Sequence, residues 1–176
     1  LWYNTAGLAI NQRRQILIDY VRLFPGLDVG PDINAWALGY VQGLAGGRLG
    51  FGVAGTSADF YRENGAVLGY GRGWGKRLSL GCGVRLLRWS AEGYRDPVNN
   101  VADPDRAETG LGVDLGLRYA LLHWRERTFT CAFSGQNLNQ PEVAESGGAG
   151  IPRRLVLGLG YADRLYIAEV DLELVD

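Results

Sequence analysis

Between Thr109 and Ala120 the chain reads TGLGVDLGLRYA, an almost unbroken two-residue alternation. Leu111, Val113, Leu115, Leu117 and Tyr119 fall on one parity; Gly110, Gly112, Asp114, Gly116, Arg118 and Ala120 fall on the other. Side chains on a strand point alternately to its two faces, so this segment has one greasy face and one nearly bare face carrying two charges. A soluble sheet would turn the greasy face to a core. What the glycine face meets is therefore the main constraint on the fold.

The same pattern recurs along the chain. Leu78, Leu80, Cys82, Val84 and Leu86 oppose Ser79, Gly81, Gly83 and Arg85, and Leu49, Phe51 and Val53 oppose Gly50, Gly52 and Ala54. Near the end, Tyr166, Ala168, Val170, Leu172 and Leu174 oppose Glu169, Asp171 and Glu173. Glycine supplies 27 of the 176 residues, about twice its usual share, and follows no collagen-like triplet. Helical spacing is confined to 8–14. Strand-like runs follow at 15–24, 33–42, 48–57, 66–74, 77–89, 109–119, 128–136, 154–161 and 165–175. Most exceed the ~5–6 residues usual in soluble sheets and approach the ~9–11 that cross a bilayer on a tilt.

The connections alternate in kind. Those after the odd runs, PGLDVGPD, ADFYRENG, SAEGYRDPVNNVADPDRAE and NLNQPEVAESGGAGIPR, are long and polar. Those after the even runs, GLAGG, GK, ALLHWRER and ADR, are shorter. In an up-and-down meander the two sets emerge at opposite ends, the asymmetry of outer-membrane barrels with short periplasmic turns and long external loops. Aromatics sort with them. Trp74, Trp124, Tyr161 and Tyr166 lie beside short turns; Phe24, Trp36, Phe60, Tyr61, Trp89 and Tyr94 lie beside long loops. Two interfacial girdles are the reading this supports. The expected fold is an all-β, up-and-down antiparallel transmembrane barrel, its large apolar residues toward lipid and its glycines and charges inward.

Bulk properties exclude several classes. A formal net charge of -1 gives no electrostatic case for nucleic acid. No run reaches the ~18 apolar residues of a membrane helix. Cys82 and Cys131 lack metal spacing and sit in strand-like runs, where buried free thiols are expected. The sequence has no methionine, even at position 1, and shows no signal peptide, so it is expected to be a processed or trimmed product.

Sites of chemistry are few. His123, the only histidine, has no nucleophile elbow near it, and no catalytic residue is expected. Arg85, Asp114 and Arg118 should share an inner face, as a headgroup site or a structural ion-pair network. Glu169, Asp171 and Glu173 form an acidic inner row suited to cations or to a basic strand in a part of the barrel missing from this sequence. Asn99, Asn100, Asp103, Asp105 and Glu108 offer oxygen ligands for Ca²⁺, with Asp103 and Asp105 the weak core of that set. Their spacing is not that of an EF-hand, and a polar external loop explains them without metal. GYGRGWGKR lacks the strand-loop-helix context of a phosphate loop. No cofactor is implied.

Several segments, taken in order, resemble FadL-like outer-membrane barrels, particularly the PorV/PorQ branch. LWYNTAGLA resembles that family's NPAGLA-type opening, with Thr5 in place of proline. TGLGVDLGLRYA and FTCAFSGQNLNQP resemble its GxGxDLGxxY strand and QNLG strand end, with Asn139 in place of the glycine. A proline ahead of RRLVLGLGYA matches a further pattern. The resemblance implies a barrel of about fourteen strands in a Gram-negative outer membrane. Residues 1–14 would form a hatch-like segment carrying Tyr3, Asn4, Ala6, Gly7 and Leu8, and 15–176 the barrel strands. It also implies transport of hydrophobic small molecules or service in type IX protein secretion, with lipid and other outer-membrane or secretion-complex proteins as partners. Nine runs is an odd number, whereas bacterial single-chain barrels have even counts. Further strands missing from this sequence, or an eight- or ten-stranded barrel, would resolve this. Two other classes stay open: a plugged structural or interaction barrel in a larger assembly, and a soluble β-barrel that binds a ligand.

Overall fold

The computed structural model describes residues 4–10, 13–23, 33–59, 61–91, 106–124, 127–141 and 150–176. Among these residues one short 3-10 helix, η1 (Thr5–Ile10), precedes nine strands. These are β1 (Gln15–Leu23), β2 (Ile33–Leu44), β3 (Gly47–Ser57), β4 (Tyr61–Trp74), β5 (Leu78–Ala91), β6 (Arg106–Trp124), β7 (Arg127–Gln136), β8 (Arg154–Ala162) and β9 (Ile167–Val175). All nine lie in one sheet in chain order, each antiparallel to the next. The all-β, up-and-down order expected from the alternation is present. The sheet is open, with β1 and β9 as its edges. The first local structure is a 3-10 helix over Thr5–Ile10, not the helical turns expected at 8–14.

Opposed residues in an antiparallel ladder share a face, so the registers thread rows across the sheet. One row runs Gly43, Arg48, Gly71, Gly81, Gly116, Ser134, Val156 and Glu173. Its neighbour runs Val41, Gly50, Gly69, Gly83 and Asp114. These belong to the face that η1 covers, called here the inner face. The intervening rows, such as Tyr40, Phe51, Leu68, Val84 and Val113, belong to the outer face.

Burial inverts the soluble pattern. Leu111, Leu115, Leu157 and Leu172 are exposed on the outer face, whereas Asp114 is 3% exposed on the inner one. Among the described residues the buried hydrophobics are Ala6, Leu8, Val67 and Ala120. A soluble chain of this length would bury most of its leucines. Cys82 and Cys131 are free, as expected, but not buried: Cys82 is exposed and Cys131 partly so. Both occupy outward parities, where no second layer lies over them.

The connections at one end are 45–46, 75–77, 125–126 and 163–166; at the other they are 24–32, 58–60, 92–105 and 137–153. Ala45 and Gly46 both have positive φ (47° and 75°), the geometry of a two-residue hairpin turn that follows the sheet's twist. The loop sorting holds with one correction. The connection after β3 is short, because YRENG is strand: Arg62, Glu63, Asn64 and Gly65 pair with Ser57, Thr56, Gly55 and Ala54. Ladder hydrogen bonds are backbone bonds and do not require apolar side chains. Leu121–Trp124, expected in a turn, instead extends β6 beyond a bulge between Ala120 and Leu122, where the extra residue breaks the two-residue alternation.

Candidate functional site

The inner face is where the sequence concentrates its small and charged residues. Its centre is the seat of η1. A Cβ placed on Gly71 would stand 2.8 Å from both Leu8 Cβ and Thr5 O, and one on Gly83 would stand 3.0 Å from Thr5 Cγ2. On Gly81 and Gly116 a Cβ would collide with the Thr5–Ala6 backbone and the Asn4 side chain. Backbone thus lies on backbone here, and glycine is required by the close approach. The result is tight: Ala6 is 0%, Thr5 2% and Leu8 3% exposed. Asn4 organises the turn, its Oδ1 accepting from Ala6 N (2.9 Å) and its O from Gly7 N (3.1 Å). Asn4 Nδ2 also donates to Phe133 O at 3.3 Å, tethering η1 to β7. Tyr3, placed with this segment by the sequence, lies outside the described residues.

Beyond η1, toward the 92–105 end, lies an ion pair. Arg85 donates to Asp114 Oδ2 through Nε (3.1 Å) and Nη2 (2.8 Å), with both side chains buried. The other Asp114 oxygen accepts from Asn137 N at 3.1 Å. Arg85 and Asp114 thus pair with each other, and Asn137 N completes the bonding of the Asp114 carboxylate. Arg118 is half-buried on the same face, between Ser79 and Ala132, and does not join the pair.

The segment after β7 completes this corner. β6 runs past the end of β7, whose pairing with it starts at Leu115 and Gly135. Asn139 takes over the exposed edge: its Oδ1 accepts from Val113 N (2.9 Å) and its Nδ2 donates to Leu111 O (2.7 Å), as a peptide group would. Leu138 N adds a bond to Val113 O at 2.9 Å. Asn137 and Gln140 reach these positions with left-handed φ of 50° and 42°. In sequence the QNLNQ run marks no more than a strand end; its bonding role depends on where β6 lies and has no local signature.

Glu169, Asp171 and Glu173 occupy the inner parity of β9, beside a cleft of 180 Å³ that Asn4, Ser134 and Arg154 also line. Glu173 is held by Arg154, with one contact at 2.7 Å and another, to Nε, closer still. Arg154 was not singled out in the sequence; it opens the 154–161 run on the inner parity, and its partner lies on the following strand. Among the described residues no group of acidic, histidine or cysteine side chains could hold a metal. Asp103 and Asp105 lie outside the described residues.

The outer face carries the aromatics. Trp36, Trp74, Trp124 and Tyr161 lie on outward parities near strand ends, and Tyr166 follows in the turn before β9. Arg72 lies 5.5 Å from the Trp74 ring centroid, and the Phe129 and Tyr161 rings are 4.8 Å apart. Trp89 requires correction. It opposes Glu63 and Glu108 and shares the inner parity of Arg85 and Leu87. Tyr61 is inward too, opposite Ala91. The Leu86–Leu87 pair hides this parity, since both faces read as apolar there.

Among the described residues, charged and amide side chains on the outer face are confined to strand ends. Along β2, Asn34 and Gln42 bracket Trp36, Leu38 and Tyr40; along β4, Asn64 and Arg72 bracket Ala66, Leu68 and Tyr70. Eight residues of strand span roughly 27 Å, or about 21 Å of height at a 40° tilt, near the ~25 Å of an outer-membrane apolar band. No helix among the described residues is long and apolar enough to cross a membrane, which leaves strands untouched as membrane-crossing elements. No family profile, curated protein or solved structure matches the chain.

Proposed function

We propose that this chain forms wall strands of a Gram-negative outer-membrane β-barrel of the FadL/PorV type, with η1 as a plug on the inner face. The observation that carries the reading is the division of faces. An uncharged apolar band faces outward and exposed, while the glycines, the Arg85–Asp114 pair and η1 lie on the other side. Exposed apolar area this extensive is unstable in water and is what a lipid-facing wall requires. The ion pair then sits where charge is tolerated, away from lipid.

β1 and β9 run in the same direction, since both are odd-numbered in an alternating meander. Antiparallel closure therefore requires an odd number of strands beyond these nine. In a closed barrel both exposed edges would be paired, removing their liability to aggregate. Within this reading the transported cargo is a hydrophobic small molecule, and η1 must move for it to pass. A second reading, a plugged barrel serving a secretion complex without conducting, is favoured by how completely Ala6 and Leu8 are covered.

The test is fractionation of the full-length protein expressed in a Gram-negative host. Recovery in the outer membrane, resistant to carbonate extraction, is expected. A detergent-free soluble monomer would sink the proposal and restore the soluble ligand-binding barrel. Uptake of a labelled long-chain fatty acid by proteoliposomes then separates transport from the plugged alternative.

A further inference from the structure

The outer face is not uniformly convex in side-chain relief. A groove of 420 Å³ crosses β4 to β7, lined by Tyr70, Leu80, Cys82, Leu115, Leu117 and Phe133, with Arg72 and Trp74 at its rim. Its origin is sequence-level. Gly81 and Gly116 contribute only backbone to the floor, and Cys82 is the smallest side chain of the row Tyr70, Cys82 and Leu115. Larger neighbours on either side make the walls. The same two glycines seat η1 on the inner side, so the wall here is one backbone thick.

The rim differs from the lining. Arg72 stands near the 75–77 turn, beside Trp74 and the Gly46 turn residue, and has no acidic partner among the described residues. A tryptophan and an arginine at the end of an apolar strand mark the level of lipid headgroups. The groove itself offers apolar surface within the size range of small-ligand sites. Its lining has no polar group placed to specify a protein partner.

We propose that this groove binds one phospholipid, its acyl chain along Leu80, Cys82, Leu115 and Phe133 and its phosphate on Arg72. The proposal rests on the membrane reading above. The occupant is a lipid of the leaflet at the short-turn end, where the cation lies. Charge complementarity at the rim and the unbroken apolar lining are the grounds for choosing it over a protein.

The experiment uses the full-length protein carrying Cys131→Ser, reconstituted in phosphatidylglycerol nanodiscs and released into mild detergent for native mass spectrometry. One retained lipid per chain is expected. A bulky maleimide attached to Cys82 after folding should abolish retention without challenging assembly, and Arg72→Gln should weaken it about fivefold. Retention unchanged by the maleimide overturns the proposal. So does a change in oligomeric state with lipid retention intact, which would make the groove a protein interface. Failure of the protein to enter lipid at all is a different result, and it defeats the membrane reading itself.

Discussion

Arg85 and Asp114 meet at 2.8 Å across β5 and β6 although neither opposes the other in the ladder. Asp114 faces Gly83 and Arg85 faces Gly112, so the two charges meet diagonally across the ladder, while Thr5 and Asn137 occupy the space over those glycines. Removing one partner leaves the other charge buried, which costs about 3–5 kcal/mol in such pairs. Asp114→Ala and Arg85→Ala are each expected to destabilise by that order in urea unfolding of the folded protein. The double variant should cost clearly less than the sum. Strict additivity would mean that the two side chains do not interact.

The η1 seat predicts a graded response to added methyl groups. Gly81→Ala and Gly71→Ala place a Cβ against the Thr5–Leu8 segment and should lift it, leaving strand content unchanged by circular dichroism. Gly73→Ala is the control, because its nearest neighbours would be at 3.8 and 4.0 Å. Hydrogen exchange at Ala6 and Gly7 should rise in the first two variants and not in the third. Equal exchange in all three would show that η1 is not held by this contact.

Asn139 provides a third test. Its two bonds to β6 are each worth about 0.5–1.5 kcal/mol, so Asn139→Gly should destabilise by about 1–3 kcal/mol. Amide exchange at Val113 should accelerate most. Unchanged protection at Val113 would mean that another group serves this edge.

These cases mark how far the sequence could be read. The outward parity of Leu111 to Leu117 and the inward parity of Asp114 follow from strict alternation, and the structure places them so. Parity became illegible where both faces carry similar residues, as at Leu86–Leu87, and the error there turned Trp89 outward. Strand ends were lost where polar side chains overlie intact backbone pairing, as from Arg62 to Gly65. Arg154 and the bonding of Asn139 depend on partners about twenty or more residues away, and nothing in their own neighbourhood announces them.

The turn before β9 supplies a pH dependence. Asp163 accepts from Tyr161 Oη (2.7 Å), Leu165 N (2.8 Å) and Tyr166 N (2.7 Å). These bonds, the tyrosine's first, hold its carboxyl below the usual carboxylate range. A depressed folded-state value means the contribution is complete above the ordinary carboxylate range and is lost as pH falls through the folded-state value. Amide chemical shifts of Leu165 and Tyr166 should therefore stay constant from neutral pH downward and move only under acid conditions. Asp163→Asn should abolish that transition. A transition near neutrality would contradict this assignment.

The sharpest separation of a lipid-facing wall from a soluble sheet comes from depth. Val84 lies in the middle of the outer band, in the row of Tyr40, Phe51, Leu68 and Val113, whereas Leu78 lies at the turn end of the same strand. Both parities face outward, so neither substitution disturbs η1 or the ion pair. In lipid, Val84→Lys should cost about 2–4 kcal/mol and Leu78→Lys about 0–1, because a charge near the interface reaches water and one at the midplane does not. In a water-exposed sheet the two would be equally mild. Equilibrium unfolding from lipid vesicles measures both, and equal small costs would mean that this face does not meet the hydrocarbon core.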